Sequence, residues 1–298
     1  MTTDRPNVSH GDRDIALANE ILRTTVGSGV HGLAIEGHDD NDETGVYIET
    51  QAQVLGLAPS SESYSSRTQP EGVRSGPGDT DLVIYAFRKF LRLVVQGNPS
   101  ILVPLYVPEE FVLFATPLGE ALRNATPVLV SQNTGRRHLG YLDGQRERMI
   151  GGGHQARVPK RPELIERYGY DTKYASHALR LGLQGIELVT EGYLTLPMHT
   201  DDLRRAMDVK LGKMPFAEAL AEIDEVRAEL ASLLNSGVSA LPKEPDMKFV
   251  NPWMAQIQKS HWSALSRRVV NSFSFILSLM STNNGMPRPR IIGLTNSQ

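Results

Sequence analysis

The sequence has no cysteine in 298 residues, which removes disulfides, thiolate zinc sites and cysteine nucleophiles together. It also lacks a charge excess. Against 31 Lys and Arg stand 34 Asp and Glu, so the net charge of −3 gives no global attraction to nucleic acid, although a local basic surface serves as well in an acidic protein. No long apolar run is present: the late stretch Phe273 to Met280 is interrupted by Ser274 and Ser278 and falls far short of the roughly 20 residues of a membrane span. The polar start, Met1 to Gly11, carries no apolar signal core, which argues against secretion and for a cytoplasmic enzyme. There is no internal repeat and no sustained heptad. His31, His38 and His154 do not have zinc-site spacing. With only 6% aromatic residues, no interleaved stacking module is visible, and Trp253 and Trp262 are expected to pack a terminal helix.

The 40% hydrophobic content is enough for one large domain or two smaller ones. Asp12 to Glu20 reads as a short helix, Ile21 to Val26 as a strand, and Ser28 to Gly37 as a Gly-bearing turn. A second strand is expected at Thr44 to Glu49. Residues 56–80, rich in Ser, Gly and Pro, read as a mobile loop or insertion. Asp81 to Tyr85 is a third strand leading into an amphipathic helix that stops at Gly97-Asn98-Pro99. Ile101 to Val107 is either a strand or a buried helix. From residue 112 the periodicity becomes helical, most clearly at 141–150, 171–190, 201–211 and 216–235. Prolines 242, 245 and 252 break the pattern before a helix at about Trp262 to Met280, and residues 282–298 read as a disordered tail.

The chemistry concentrates between Gly27 and Tyr47. Gly27 lets backbone approach a ligand, Ser28 offers a hydroxyl, and the amides of the turn can receive phosphate oxygens. Asp40 and Asp42 lie two apart, so on an extended chain both carboxylates face one way. Like charges held there call for a cation. Mg²⁺ suits such oxygen ligands, and a third carboxylate would complete a two-metal arrangement. Asp81, opening its apolar strand, is preferred for that role over Asp79. The alternative is a solvated acidic turn. An EF-hand, a P-loop and a dinucleotide fingerprint all fail on spacing.

Taken in order, Gly27, Ser28, Gly32, Asp40, Asp42, Gly45, Val46, Asp81, Lys89, Phe90, Gly97, Asn98, Pro99, Lys173, His177, Arg180 and Leu181 resemble the DNA polymerase beta nucleotidyltransferase superfamily. They are most similar to its branch of predicted nucleotidyltransferases associated with RNA repair, over about residues 20–240. The resemblance implies an α+β fold, a polymerase-beta-type nucleotidyltransferase core with a mixed sheet followed by a helical domain. It implies a catalytic domain over 1–110, a helical domain over 111–240 covering the cleft, and a terminal helix and tail over 241–298. It further implies that Asp40, Asp42 and Asp81 hold two Mg²⁺ ions, with Mn²⁺ as a substitute, that Asp81 helps activate the acceptor hydroxyl, and that Gly27 and Ser28 hold the triphosphate of an NTP. The acceptor it implies is RNA, tRNA included. A protein or small-molecule acceptor, and a non-catalytic nucleotide or RNA-binding protein, remain as alternatives. Asp39 departs from the superfamily, which commonly has Ser before the first aspartate, and is expected to point outward or to the metal's outer shell.

Lys173, His177 and Arg180 share one helical face by spacing, suited to a triphosphate and a departing pyrophosphate, or else they are ordinary solvent-facing bases paired with Asp171 or Glu187; the resemblance favours the first. Lys89 is expected to bind phosphate or brace the structure, with Arg88 and Arg92 facing solvent or acceptor. Asn98 is expected to cap the turn. Residues 131–175 carry nine Lys or Arg against five Asp or Glu, and the Gly151-Gly152-Gly153-His154 piece within them reads as a connection that either closes over a ligand or only joins helices. Residues 247–298 have six Lys or Arg and no acid; they read first as an uncommitted polar tail, with weak, salt-dependent phosphate contacts as the alternative. Oligomeric state leaves no mark on the sequence.

Overall fold

The computed structural model describes residues 8–35, 37, 40–57, 61–151 and 161–282, without the side chains of Val8 and 267–282. The strands are β1 (Val8–His10), β2 (Glu20–Val26), β3 (Asn41–Tyr47), β4 (Ser63–Arg67), β5 (Thr80–Ala86) and β6 (Val112–Ala115). They form one sheet in the order β1-β4-β5-β3-β2-β6. Only β3 and β5 are parallel. The first helices are α1 (Arg13–Ala18), α2 (Gln51–Leu55), α3 (Phe87–Val95), α4 (Pro99–Tyr106), α5 (Pro117–Asn124) and α6 (Thr126–Leu129). A helical half follows, with α7 (Asn133–Met149), α8 (Pro162–Tyr168), α9 (Thr172–Glu191), α10 (Thr200–Lys210), α11 (Phe216–Ser236) and α12 (Met247–Thr282). This is the expected α+β class with a mixed sheet and a helical continuation.

Four local expectations need correction. Residues 56–80 are not all loop, because Ser63 to Arg67 form β4 between β1 and β5. Its Ser-Tyr-Ser-Ser-Arg sequence buries only Tyr64, so it shows almost none of the apolar alternation that marks a strand. The stretch after residue 112 contains β6, which pairs with β2 and carries the sheet past residue 110. The second strand starts at Asn41 rather than Thr44, which puts Asp42 inside it. The last helix starts at Met247 rather than near Trp262. Asp246 accepts the amides of Lys248 and Phe249, both at 3.1 Å, and Pro252 sits inside this helix, where its ring removes one backbone bond without ending it. Ile101 to Val107 resolves as the buried helix α4. Residues 283–298, most of the expected tail, lie outside the described residues, as do Asp39, His38, Gly152, Gly153 and His154.

Chain reversals sit where the backbone demands glycine or a cap. Gly97, at φ 76°, ends α3, and a Cβ there would lie 2.6 Å from the Thr134 backbone. Asn98 then caps α4 as expected, accepting the Ser100 amide at 3.1 Å. Two apolar cores result. One joins the sheet to α3, α4 and α12, where Trp253 lies 5.9 Å from the Phe87 ring. The other surrounds α9, with Leu33 reaching into it from the turn after β2. Helix α9 is the hub of the helical half: Gly182 and Gly185 let α11 and α7 approach so closely that a Cβ would meet Val226 at 2.4 Å or Leu230 at 2.8 Å. No helix among the described residues is long and apolar enough to cross a membrane.

Candidate active site

The parallel pairing of β3 and β5 sets the acidic site. Asp42 lies directly opposite Asp81, so their side chains leave the sheet on the same face, and Asp40 precedes Asp42 by two residues. Oxygens of the three carboxylates lie within 4.8 Å of one another. On β5 the alternation is clean: Asp81, Val83 and Tyr85 line the cleft, whereas Leu82, Ile84 and Ala86 pack with Tyr47 and Tyr64 on the other face. Asp79 turns elsewhere, accepting from the Thr68 hydroxyl at 3.1 Å and the Gly76 amide at 3.0 Å, which fixes the turn before β5. Gly27 follows the end of β2 at φ 79°. A Cβ at this position would sit 2.3 Å from an oxygen of Asp42, so glycine leaves room for the carboxylate and for whatever it binds.

Asp81 is held from several sides. It accepts from Arg67 Nε and Nη2, both at 3.0 Å, from Gln69 at 2.9 Å and from Ser75 at 2.9 Å. Burial alone would raise its pKa, but the bonds from Arg67, Gln69 and Ser75 outweigh burial and hold it below the usual carboxylate range. The donor set of the cluster is all carboxylate, with no imidazole or thiolate. That is the ligand chemistry of a hard divalent cation such as Mg²⁺.

Facing the carboxylates across a cavity of about 440 Å³ is one side of α9. Asp171 caps that helix, accepting the Lys173 and Tyr174 amides at 3.1 Å, and so sets the rotation that brings Lys173, His177 and Arg180 to the cavity. Arg180 is partly buried. It donates to His31 Nε2 at 3.0 Å and to Gln184 at 2.9 Å, and burial lowers its pKa to about 10. No carboxylate among the described residues pairs with it. Burial, then the charges of Arg180 and Lys173, push His177 down to about 3, and His31 is likewise driven well down by burial and by Arg180. Both imidazoles are therefore neutral here. This wall carries Lys173 and Arg180 opposite the carboxylates, an electropositive surface of the kind a polyanion would fill.

Every site residue expected from the sequence lines this cavity except Lys89. Gly27 and Ser28 lie beside the carboxylates, and Lys173, His177 and Arg180 lie opposite them. Lys89 instead lines a second cavity of about 340 Å³ with Arg88 and Arg92. Its ammonium lies 5.7 Å from the centroid of the Tyr85 ring and 3.9 Å from Glu62. On α3 the inward face belongs to Phe87, Phe90, Leu91 and Val94, so Lys89 leaves sideways toward Tyr85. Sequence reasoning missed Lys210, which lines the main cavity and donates to the Leu33 carbonyl. Its only signal is a basic residue in the last turn of α10, which usually answers the helix dipole.

A family model described as RNA repair pathway DNA polymerase beta family matches residues 15–250. Among solved structures, the chain is similar to a nucleotidyltransferase-like protein from Exiguobacterium sibiricum 255-15, at 13% identity and a TM-score of 0.30, over 75% of this chain and 71% of that one. No match was found among curated proteins.

Proposed function

The chain belongs to the RNA repair pathway DNA polymerase beta family, and from that premise we propose that it moves a nucleoside monophosphate from an NTP to an acceptor hydroxyl, releasing pyrophosphate, with an RNA 3′ end as acceptor. The observation that carries this reading is that a single cavity is lined by Asp40, Asp42 and Asp81 on one wall and by Lys173, His177 and Arg180 on the other. Acids alone would suit a structural cation and bases alone an anion. Phosphoryl transfer needs both, a few ångströms apart.

In this proposal Asp40, Asp42 and Asp81 hold two Mg²⁺ ions, which when bound supply charge neutralisation at the α-phosphate and lower the pKa of the acceptor hydroxyl. Gly27 and Ser28 receive the triphosphate at the turn. Arg180, Lys173 and Lys210 orient its β and γ phosphates and balance charge on the departing pyrophosphate. In the same reading Asp81 helps activate the acceptor hydroxyl, its depressed pKa keeping the carboxylate charged for the metal rather than making it a strong base. The chain supplies positioning and charge compensation, with no covalent nucleophile. The division into a catalytic unit (1–110), a covering helical unit (111–240) and a terminal unit (241–298), and a cytoplasmic setting, belong to the same proposal.

The test is incubation of the purified protein with Mg²⁺, each α-labelled NTP, and a mixture of short RNA and tRNA acceptors, beside Asp40→Asn and Asp42→Asn. Label entering RNA only with both aspartates intact supports the reading. Nucleotide binding with label in protein or a small product would move the acceptor. Transfer undiminished in Asp42→Asn would end the enzyme assignment.

A further inference from the structure

The main cavity has two chemically different ends. The cationic residues are tied to the turn that follows β2, Arg180 through His31 and Lys210 through the Leu33 carbonyl. That turn begins at Gly27, against Asp42. In the other direction β5 runs from Asp81 through Val83 to Tyr85, four residues and about 13 Å along the strand. There the lining turns apolar and aromatic, with Val83, Tyr85, Pro99 and Ile101. Along the sheet the carboxylates therefore lie between the Gly27 turn and Tyr85.

In-line displacement at a phosphorus atom puts the leaving group and the attacking oxygen on opposite sides. With the triphosphate received at the Gly27 turn, beside Asp42, the attacking hydroxyl arrives from the Tyr85 end. We infer that this end is the acceptor subsite: the terminal nucleoside of a single-stranded RNA stacks on Tyr85 against Pro99 and Ile101, and the strand leaves past Lys89 toward Arg88 and Arg92. This rests on the nucleotidyl-transfer reading above.

Lys89 joins the two halves of the inference. Its stem lines the second cavity while its ammonium lies over the Tyr85 ring, so a chain leaving the first cavity over Tyr85 meets Lys89 next. Arg88 and Arg92 lie on the same helix, both exposed. Glu62 offsets part of this charge, held by Arg92 at 2.8 and 3.0 Å and lying 3.9 Å from Lys89, so one carboxylate is shared among three cations and a net positive charge remains for phosphate. The exposed Tyr141 accepts at 3.2 Å from the side chain of Asn98, which is next in the chain to Pro99 of the lining. Aromatic rings followed by cations form the usual platform for single-stranded nucleic acid. A protein acceptor would gain little from a ring placed to receive a flat base.

The test measures binding rather than transfer. A short 5′-fluorescein-labelled single-stranded RNA is titrated with the full chain and followed by anisotropy, beside the same RNA with an abasic 3′ end. Removing the terminal base, or replacing Tyr85 by Ala, is expected to weaken binding roughly tenfold each, the cost of one lost stack. The two changes together should weaken it no further than either alone, because they remove the same contact. Tyr85→Phe should retain affinity, and Lys89→Ala should make the salt dependence shallower. ATP affinity should be unchanged in Tyr85→Ala. The abasic arm uses the unaltered protein, so a misfolded variant cannot decide the outcome. Equal affinity for intact and abasic RNA, additive losses, or a loss of ATP rather than RNA binding in Tyr85→Ala would each overturn the subsite. So would absence of RNA binding. Retention of this binding pattern without label transfer would remove the transfer reading and leave the RNA-end site standing.

Discussion

The guanidinium of Arg67 spans both oxygens of Asp81, Nε to Oδ1 and Nη2 to Oδ2, at 3.0 Å each. With Gln69 and Ser75 on the same carboxylate, the group expected to complete the metal site is held by β4 and the loop that follows it. A divalent cation must compete for those lone pairs. Arg67→Ala is therefore expected to tighten Mn²⁺ binding about three- to tenfold, a range that allows for solvent screening of a half-exposed pair. Mn²⁺ titration by electron paramagnetic resonance reads this directly. Weaker binding in the variant would mean that Arg67 places Asp81 for the metal rather than competing with it.

Gly27 is constrained twice, by its positive φ and by Asp42. Gly27→Ala adds strain of roughly 1–2 kcal/mol for a side chain in the left-handed region, and its methyl would meet Asp42 at 2.3 Å unless the carboxylate turned away. The expected outcome is a melting temperature lowered by a few degrees for a loss of this size, with metal affinity reduced at least tenfold. Calorimetry and Mn²⁺ titration on the same sample separate the two effects. Unchanged metal affinity would show that the Asp42 carboxylate has room to adjust.

What the sequence made legible follows from how local each signal is. Asp40 and Asp42 are two residues apart in one strand, and Lys173, His177 and Arg180 fall on successive turns of one helix, so periodicity alone groups each set. That α9 faces the sheet across the cavity is a tertiary fact, fixed by Leu33, Gly182 and the Asp171 cap, and only the resemblance to a family anticipated it. Strand β4 was hidden because its neighbours, rather than its own apolar content, hold it in the sheet. Lys210 was hidden because it arrives from α10, far along the chain. Lys89 was expected in the nucleotide site and lies beside Tyr85, since the faces of α3 are set by what packs beneath that helix.

His177 carries a pH signature. Its pKa, about 3 in the free protein, means a neutral ring at neutral pH. A bound polyphosphate favours the imidazolium and raises that value, so binding takes up a proton between the free and bound pKa values. Affinity for tripolyphosphate is then expected to increase as pH falls through the raised, bound-state pKa and to level off below about 3, with the increase lost in His177→Asn. Calorimetry in buffers of different ionisation enthalpy counts the protons. An identical pH profile in the variant would assign the uptake to the ligand or to another group.

Arg180 separates function from stability. Among the described residues the partly buried Arg180 guanidinium has His31 and Gln184 as partners and no carboxylate to offset its desolvation, and an uncompensated charge withdrawn from water costs up to several kcal/mol. Replacing it by Met removes that cost but leaves the His31 and Gln184 acceptors unpaired, worth about 1–3 kcal/mol each. The two changes nearly cancel, or favour the variant slightly, so Arg180→Met is expected to keep or modestly raise the melting temperature. The same change removes a charge aimed at the phosphates, and NTP affinity should fall by about one to two orders of magnitude for the loss of a charge-assisted contact. A thermal melt and a fluorescent-nucleotide titration decide it. A variant that melts much earlier with nucleotide affinity intact would make Arg180 a brace for the turn at His31. A variant that is stable but fails to bind would assign its buried charge to the ligand.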